Sequence, residues 1–397
     1  MSNRIFASGD EALALGVRLA RPQVIAAYPI TPQTITVERL ADYVEDGSLK
    51  SQYLYVESEH SAMSACIGAS AMGARTFTAT SSQGLLYMSE CLHYASGSRL
   101  PIVMMDANRS IAAPWSIYGD QRDALSQLDT GWIQFYVENA QEALDMVIQA
   151  YRVAEDPEVM TPVMVNLDGF VLTHTYELIE LPEQELVDKY IPYRDYPNKM
   201  DLDNPKSTCI TAGPPYNMQF RYQQHTAIMK AAKVIVEADK EYGRLFGRSY
   251  GGLVESYRCD DAEAIIVTLG SVAGTTRLVV DDLREKGYKV GLLKLRCLRP
   301  FPSEEVVKIL GKAKVVGVLE KDISFGYEGA VFTEINSALT ALKDIPETYN
   351  FVAGLGGRSI SKGDIREVFE KIISYSSGKE PAKRVEFVKL GCDDYGN

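Results

Sequence analysis

Three side chains in the first third of the chain stand where a ligand would need them. Thr31 lies in Tyr28-Pro-Ile-Thr-Pro-Gln-Thr34, just after the apolar run Val24-Ile-Ala-Ala27. Two prolines limit the freedom of that turn. A hydroxyl fixed beyond the end of a parallel strand suits a small anion such as a carboxylate. Threonine before proline is also a good helix start, and periodicity alone favours that plainer role. Glu59 follows Val56-Glu57-Ser58 and opens a helix of small residues, among them Ser61, Ala62, Ser64, Ala65 and Gly68. A carboxylate packed so closely could share a proton with a heterocyclic nitrogen; a first-turn glutamate is also what a helix dipole favours. Arg109, in Asp106-Ala-Asn-Arg-Ser110, follows another apolar run. Its guanidinium could grip a carboxylate with two prongs, although a solvated side chain is the ordinary state of a single arginine.

Alternating strand and helix patterns must hold these groups. Strands are expected at 24–27, 53–56, 76–80, 102–105 and 163–166, with helices at 61–72 and 85–95 between them. Ser8 and Glu11 form a capping box ahead of a helix with Ala12, Leu15 and Leu19 on one face. This rhythm indicates βαβ units in a mainly parallel sheet. Residues 110–131 read as a long loop, and its aromatics Trp115 and Tyr118 either shape a pocket or cover a sheet edge. From about 181 to 250 prolines interrupt the pattern, and a long helix is expected only over 224–246. A second α/β unit opens near Asp261, with strands at 264–269, 290–294, 315–319 and 349–352 and a helix at 274–286. The expected domains are therefore 1–250, including a wrapping connection at 181–250, then 251–380, and a tail at 381–397.

Composition excludes several classes. Net charge is −12, which argues against nucleic acid as the main ligand. No apolar run approaches the roughly 20 residues of a membrane helix, and no signal-peptide core opens the chain, so a cytoplasmic protein is expected. The cysteines Cys66, Cys91, Cys209, Cys259, Cys297 and Cys392 contain no CxxC pair, so a cluster or zinc site within this chain is not expected. There is no Walker loop and no strand-linked GxGxxG. Four histidines offer no His/Glu metal constellation, and no metal ligands are assigned. The residues found bind and orient, and none is an obvious nucleophile or redox centre. That pattern fits an incomplete active site.

Tyr28-Pro-Ile-Thr-Pro32, Glu57-Ser-Glu59, Ser81-Ser-Gln-Gly84, Asn108-Arg-Ser110 and Asp129-Thr-Gly-Trp-Ile-Gln134 together resemble the α subunit of 2-oxoacid:ferredoxin oxidoreductases, in the pyruvate and 2-oxoisovalerate branch. The similarity continues through Leu298-Arg-Pro-Phe-Pro302, Glu320-Lys-Asp-Ile-Ser-Phe-Gly326 and Val352-Ala-Gly-Leu-Gly-Gly357 and so covers nearly the whole chain. The resemblance implies a pyrimidine-binding thiamine diphosphate fold, with helices on both faces of a parallel sheet, followed by a transketolase C-terminal-like α/β domain. It implies oxidative decarboxylation of a 2-oxoacid with coenzyme A to acyl-CoA, carbon dioxide and reduced ferredoxin or another electron acceptor. By motif position Glu59 matches the glutamate that pairs with the aminopyrimidine, with Pro29 and Ile30 beside the cofactor. Thr31 and Arg109 match the residues that hold the substrate carboxylate, and Trp115 lines the substrate side.

The family's Gly-Asp-Gly magnesium–diphosphate motif is lacking, and Asp168-Gly169 is only a partial match. A β subunit is thus expected to bring the Mg2+ and diphosphate half of the shared cofactor together with a [4Fe-4S] cluster. Subunits of γ and ferredoxin-like δ type would complete electron transfer. Thr31 stands where oxalate-type enzymes carry an arginine, which disfavours a doubly charged substrate. Pyruvate is placed first, with a branched or aromatic 2-oxoacid (2-oxoisovalerate, phenylglyoxylate) as the alternative because of the Trp115 loop. A non-catalytic thiamine-fold partner subunit is the remaining alternative.

Overall fold

Helix starts and buried strands follow directly from the residues at their boundaries. A computed structural model describes residues 4–196, 199–205, 207, 211–378 and 383–390. The chain begins β1 (Arg4–Ser8), α1 (Gly9–Ala20), β2 (Val24–Ala27), α2 (Thr34–Glu45), β3 (Gln52–Tyr55) and α3 (Glu59–Ala71). Next come β4 (Thr76–Thr80), α4 (Gln83–Tyr87), α5 (Ser89–Gly97), β5 (Val103–Asn108), α6 (Arg122–Leu125), β6 (Ile133–Tyr136), α7 (Ala140–Ala154) and β7 (Val163–Asp168). The connection carries β8 (Tyr176–Glu180), α8 (Gln184–Tyr190) and α9 (Pro214–Phe246). The second unit has β9 (Val254–Tyr257), β10 (Ala264–Leu269), α10 (Val272–Glu285), β11 (Val290–Leu295), β12 (Cys297–Arg299) and α11 (Ser303–Leu310). It closes with β13 (Val315–Glu320), α12 (Ala330–Leu339), β14 (Glu347–Val352), α13 (Lys362–Ser376) and β15 (Val385–Phe387).

The first sheet has the order β12-β6-β7-β5-β4-β2-β3, parallel except for β12. Its inner strands are buried along their whole length, because helices cover both faces. The Ser8–Glu11 capping box starts α1, as its spacing predicts. α1 packs against α7 at Gly16, where a Cβ would come within 2.4 Å of Val147 and 2.6 Å of the Leu144 carbonyl oxygen. The second sheet has the order β15-β14-β13-β10-β11-β9, with β9 antiparallel at one edge. In both sheets the strand order reverses once beside the first inner strand: between β2 and β4, and between β10 and β13.

Several expectations are corrected. Thr31 does not cap a helix, since α2 starts at Thr34 with Gln33 at its N-cap. The helix expected at 85–95 is two, broken at Met88. The expected loop at 110–131 contains α6, and the long helix starts ten residues earlier than expected, at Pro214. β12 leaves the second unit to pair with β6, and β15 from the tail joins the second sheet. Cys66, Cys91, Cys259 and Cys297 are buried free thiols, while Cys209 and Cys392 lie outside the described residues. Among the described residues no helix is long and apolar enough to cross a membrane.

A buried ion network ties the two sheets together. Lys294 on β11 reaches Glu142 at 2.7 Å and Glu138 at 2.8 Å, and Arg296 reaches Glu142 at 2.9 Å. Arg277 on α10 joins Glu138 and Glu255. Asp145 on α7 accepts from Arg248, Tyr242 and Tyr250. Each buried charge of this network has a partner, which is what allows such groups to stay ionised away from water.

Candidate active site

Ligands of open α/β sheets bind beyond the carboxyl ends of the strands, where the strand order reverses. In the first sheet that place is flanked by the turn after β2 and the Ser81–Gly84 turn after β4. The structure brings three of the expected residues there. Arg109, directly after β5, donates from Nη1 to the Thr31 carbonyl at 2.6 Å and from Nη2 to Gln83 Oε1 at 3.1 Å. Thr31 is exposed, and among the described residues its hydroxyl makes no hydrogen bond. Gln33 braces the turn by donating from Nε2 to the Tyr28 carbonyl at 2.9 Å. Pro29 is exposed and Ile30 half-buried on the same turn.

Glu59 is the first residue of α3, 7% exposed, and Ser58 caps the helix by accepting from the Ser61 amide at 3.2 Å. Its carboxylate lies against the Ser81–Gly84 turn. A Cβ on Gly84 would come within 2.5 Å of Glu59 Oε1 and 2.5 Å of Thr80 Oγ1. Glu59 and Arg109 therefore both meet this turn, at Gly84 and Gln83 respectively. Burial lowers the proton affinity of the Arg109 guanidinium, and the negative charges of Asp123, Asp106 and Glu59 raise it again.

Trp115 does not join this group. It is 72% exposed, and among the described residues it forms no hydrogen bond or ring contact with Thr31, Glu59 or Arg109. The loop is pinned at Gly119 instead, which packs under the Gly169 and Asn108 backbone, and the Tyr118 ring packs tilted against Phe170 with centroids 4.9 Å apart. Asp168 is committed elsewhere: it accepts from Gln121 Nε2 at 3.0 Å and the Ser271 amide at 2.7 Å, and pairs with Lys321 at 3.1 Å.

Two residues were not singled out from the sequence. Gln83 accepts on Oε1 from Ser82 Oγ at 2.6 Å and from Arg109, which turns its amide nitrogen away. Asp123 accepts from the backbone amides of Ser82 and Arg109. The Ser-Ser-Gln-Gly run was the available signal for the first, and the Asp120-x-x-Asp123 spacing for the second.

The site's unmet hydrogen bonds show what it can accept. Thr80 Oγ1, Gln83 Nε2 and Arg109 Nε are buried without partners, and the Glu59 carboxylate accepts no hydrogen bond among the described residues. Such unpaired groups are costly unless a ligand meets them. A carboxylate acceptor facing two donors fits a heterocycle with a basic ring nitrogen on one side and a small carboxylate on the other.

Comparison with known proteins identifies the family. Residues 15–240 match the family model described as pyruvate flavodoxin/ferredoxin oxidoreductase, thiamine diP-binding, and residues 262–365 match pyruvate:ferredoxin oxidoreductase core domain II. The chain is 50% identical over 364 residues to a pyruvate synthase subunit PorA of Methanothermobacter thermautotrophicus, covering 92% of this chain and 94% of that one. It is 46% identical over 384 residues to a ketoisovalerate oxidoreductase subunit VorA of Pyrococcus abyssi, covering 96% and 97%. Its fold is similar to that of a 2-oxoglutarate:ferredoxin oxidoreductase from Magnetococcus marinus (TM-score 0.73, 21% identity, 94% of this chain and 66% of that chain). The resemblance read from the sequence motifs is thereby borne out: the chain belongs to the pyruvate flavodoxin/ferredoxin oxidoreductase family.

Proposed function

We propose that this chain is a subunit of a thiamine-diphosphate-dependent 2-oxoacid:ferredoxin oxidoreductase that converts pyruvate and coenzyme A to acetyl-CoA. The observation that carries this reading is that Glu59 and Arg109 both meet the Ser81–Gly84 turn, where Thr80 Oγ1, Gln83 Nε2 and Arg109 Nε are buried without hydrogen-bond partners among the described residues. Bound thiamine diphosphate would supply the electron sink for decarboxylation. Glu59 would hold the aminopyrimidine, sharing a proton with its ring nitrogen, and Pro29 and Ile30 would border it. Arg109 and Thr31 would hold the substrate carboxylate, and Gln83 Nε2 would donate to the acid's remaining oxygen. Trp115, on its exposed loop, would reach the substrate only by moving inward or by being covered by another chain.

This chain would work with partners. A β subunit would bring the Mg2+–diphosphate half of the cofactor site and a [4Fe-4S] cluster, and γ and ferredoxin-like δ subunits would pass electrons to ferredoxin. The test combines the chain with those partners, thiamine diphosphate, coenzyme A and single 2-oxoacids, and follows acceptor reduction. Reduction with pyruvate is expected; none with any 2-oxoacid would refute the proposal. A second reading, a branched 2-oxoacid such as 2-oxoisovalerate, is favoured by the 46% identity to a ketoisovalerate enzyme subunit over nearly the full length. The ratio of kcat/KM for pyruvate to that for 2-oxoisovalerate decides between them.

A further inference from the structure

Behind Arg109 lies a buried acidic pair. Parallel register sets Thr80, Asp106, Asn166 and Tyr136 in one row across β4, β5, β7 and β6, so their side chains share a face of the sheet. α6 packs against β5 and α4 and brings the buried Asp123 over that face. The Asp123 carboxylate accepts four hydrogen bonds. Oδ2 takes the amides of Ser82 at 3.0 Å and Arg109 at 2.8 Å; Oδ1 takes Asn108 Nδ2 at 3.1 Å and the Ala124 amide at 2.9 Å. Among the described residues Asp106 accepts from Asn108 Nδ2, at 2.8 Å on Oδ2, its carboxyl interacts with that of Asp123, and its Oδ1 is buried without a hydrogen-bond partner.

Two adjacent buried carboxyls do not both ionise readily. Burial pushes Asp106 well above the usual carboxylate range, and the charge of Asp123 adds to this. Burial also raises Asp123, against the pull of the amides of Arg109, Ala124 and Ser82. With four donors against one, Asp123 is raised less than Asp106, to about 7 with the charge of Asp120 adding to burial, so the proton of the pair favours Asp106.

Resting on the function proposed above, we propose that Asp123 is a positioning residue whose carboxylate locks the Ser82 and Arg109 backbones together, so that Gln83 and Arg109 present their donors to the substrate carboxylate as one unit. The two segments leave different strands and need a shared anchor. Ser82 moreover holds φ at 51°, a left-handed conformation that a serine keeps only when its surroundings fix it. A second tie is weaker: Ser82 Oγ lies 2.7 Å from the Ser110 carbonyl and 2.6 Å from Gln83 Oε1, so its one proton serves either acceptor in turn, and both amides are left to Asp123.

The test uses the chain assembled with its partner subunits. D123N is expected to raise the KM for the 2-oxoacid at least tenfold, while the KM for coenzyme A stays within twofold of wild type, because Arg109 is the group displaced. D106N exchanges one neutral side chain for another and is expected to move the same KM less. An unchanged 2-oxoacid KM in D123N, equal rises in both KM values, or a larger effect from D106N would overturn the assignment. If D123N does not assemble, N108S removes one donor from each carboxyl, and a 2-oxoacid KM unaltered in that variant overturns it equally. A wild-type complex inactive with every 2-oxoacid refutes the proposed function itself, whereas an active wild type beside a normal D123N refutes only the role of Asp123.

Discussion

Replacing Gly84 with alanine tests where the Glu59 carboxylate sits. Gly84 is the second residue of α4 and needs no left-handed backbone, so helix propensity alone would make alanine the better residue by about 1 kcal/mol. Space argues the other way. The new Cβ would lie 2.5 Å from Glu59 Oε1, 2.5 Å from Thr80 Oγ1 and 2.9 Å from Glu59 Cδ. Restoring ordinary contact at roughly 3.5–4.0 Å requires Glu59 to retreat by about 1 Å. Overpacking of this kind costs about 1–3 kcal/mol, so after the propensity gain the net loss of stability is about 0–2 kcal/mol. The effect on catalysis is larger, because a displacement of about 1 Å can cost about 100-fold in rate. Acceptor reduction by the reconstituted complex should therefore fall about 100-fold in G84A, while calorimetry of the variant shows only a small change in Tm. E59Q removes the shared proton outright and should cost about 10²–10⁴-fold. Since both changes act on one carboxylate, the double variant should be far from additive. Wild-type kcat in G84A, or strictly additive losses, would refute the placement of Glu59 against this turn.

Arg109→Ala should weaken use of the 2-oxoacid by about 2–5 kcal/mol in kcat/KM, because a desolvated charge pair is broken; an unchanged KM would rule out its role. Glu142 would be raised by burial alone, but Lys294 and Arg296 hold it down to about 2 from 4.5, so it contributes stability above pH 4.5 that is lost as pH falls towards 2. The loss amounts to about 3 kcal/mol, and thermal unfolding between pH 5 and 2 should show a shallower slope in K294M than in wild type. Burial and the charge of Asp322 raise Glu320 to about 8, against the Val331 amide and Asn350, so its contribution is full below pH 4.5 and fades as pH rises through 8. E320Q has nothing to titrate, and its Tm should vary less between pH 5 and 8; identical curves would show that Glu320 is not protonated in the fold.

The parts of this fold that were legible in the sequence are those decided locally. β2 and β10 fall at their expected residues because strands covered on both faces are mainly apolar runs bounded by polar turns, and β4 (Thr-Phe-Thr-Ala-Thr) because β-branched and aromatic residues favour a strand. β6 (Ile-Gln-Phe-Tyr) and β12 (Cys-Leu-Arg) have no such pattern; β6 is held by parallel pairing with β7, and β12 by the antiparallel edge that β6 offers it from about 160 residues away. The break at Met88 has no proline or glycine to announce it. In the site, Thr31, Glu59 and Arg109 were readable because each follows a strand. Gln83 acquires meaning only when β4 and β5 lie side by side, and Asp123 only when α6 forms in a stretch that reads as loop. Lys294 and Arg296 sit in an apolar run whose main acidic partners, Glu138 and Glu142, lie just before and within the first turn of α7, so nothing near them in sequence explains how they are buried.

The second sheet also braces the loop behind Arg109. Its own strand reversal, between β10 and β13, is the place where an open α/β unit would ordinarily take an anion at a helix start. Here that place is filled from within the chain. Asp168, at the end of β7, accepts from the amide and hydroxyl of Ser271 ahead of α10 and pairs with Lys321 at the end of β13. A Cβ on Gly270 would strike Asp168 Oδ2 at 2.7 Å, so the turn is shaped for this carboxylate. Gln121 donates to the other oxygen of Asp168 and, through its amide, to the Lys321 carbonyl. Asp120 accepts from the Gly356 amide at 3.1 Å. Residues 120 and 121 are thus held by both sheets at once, two positions before Asp123 and the anchor of Arg109. What reads as a second domain appended to a binding domain is, in mechanical terms, the far wall of the clamp that fixes the loop behind Arg109.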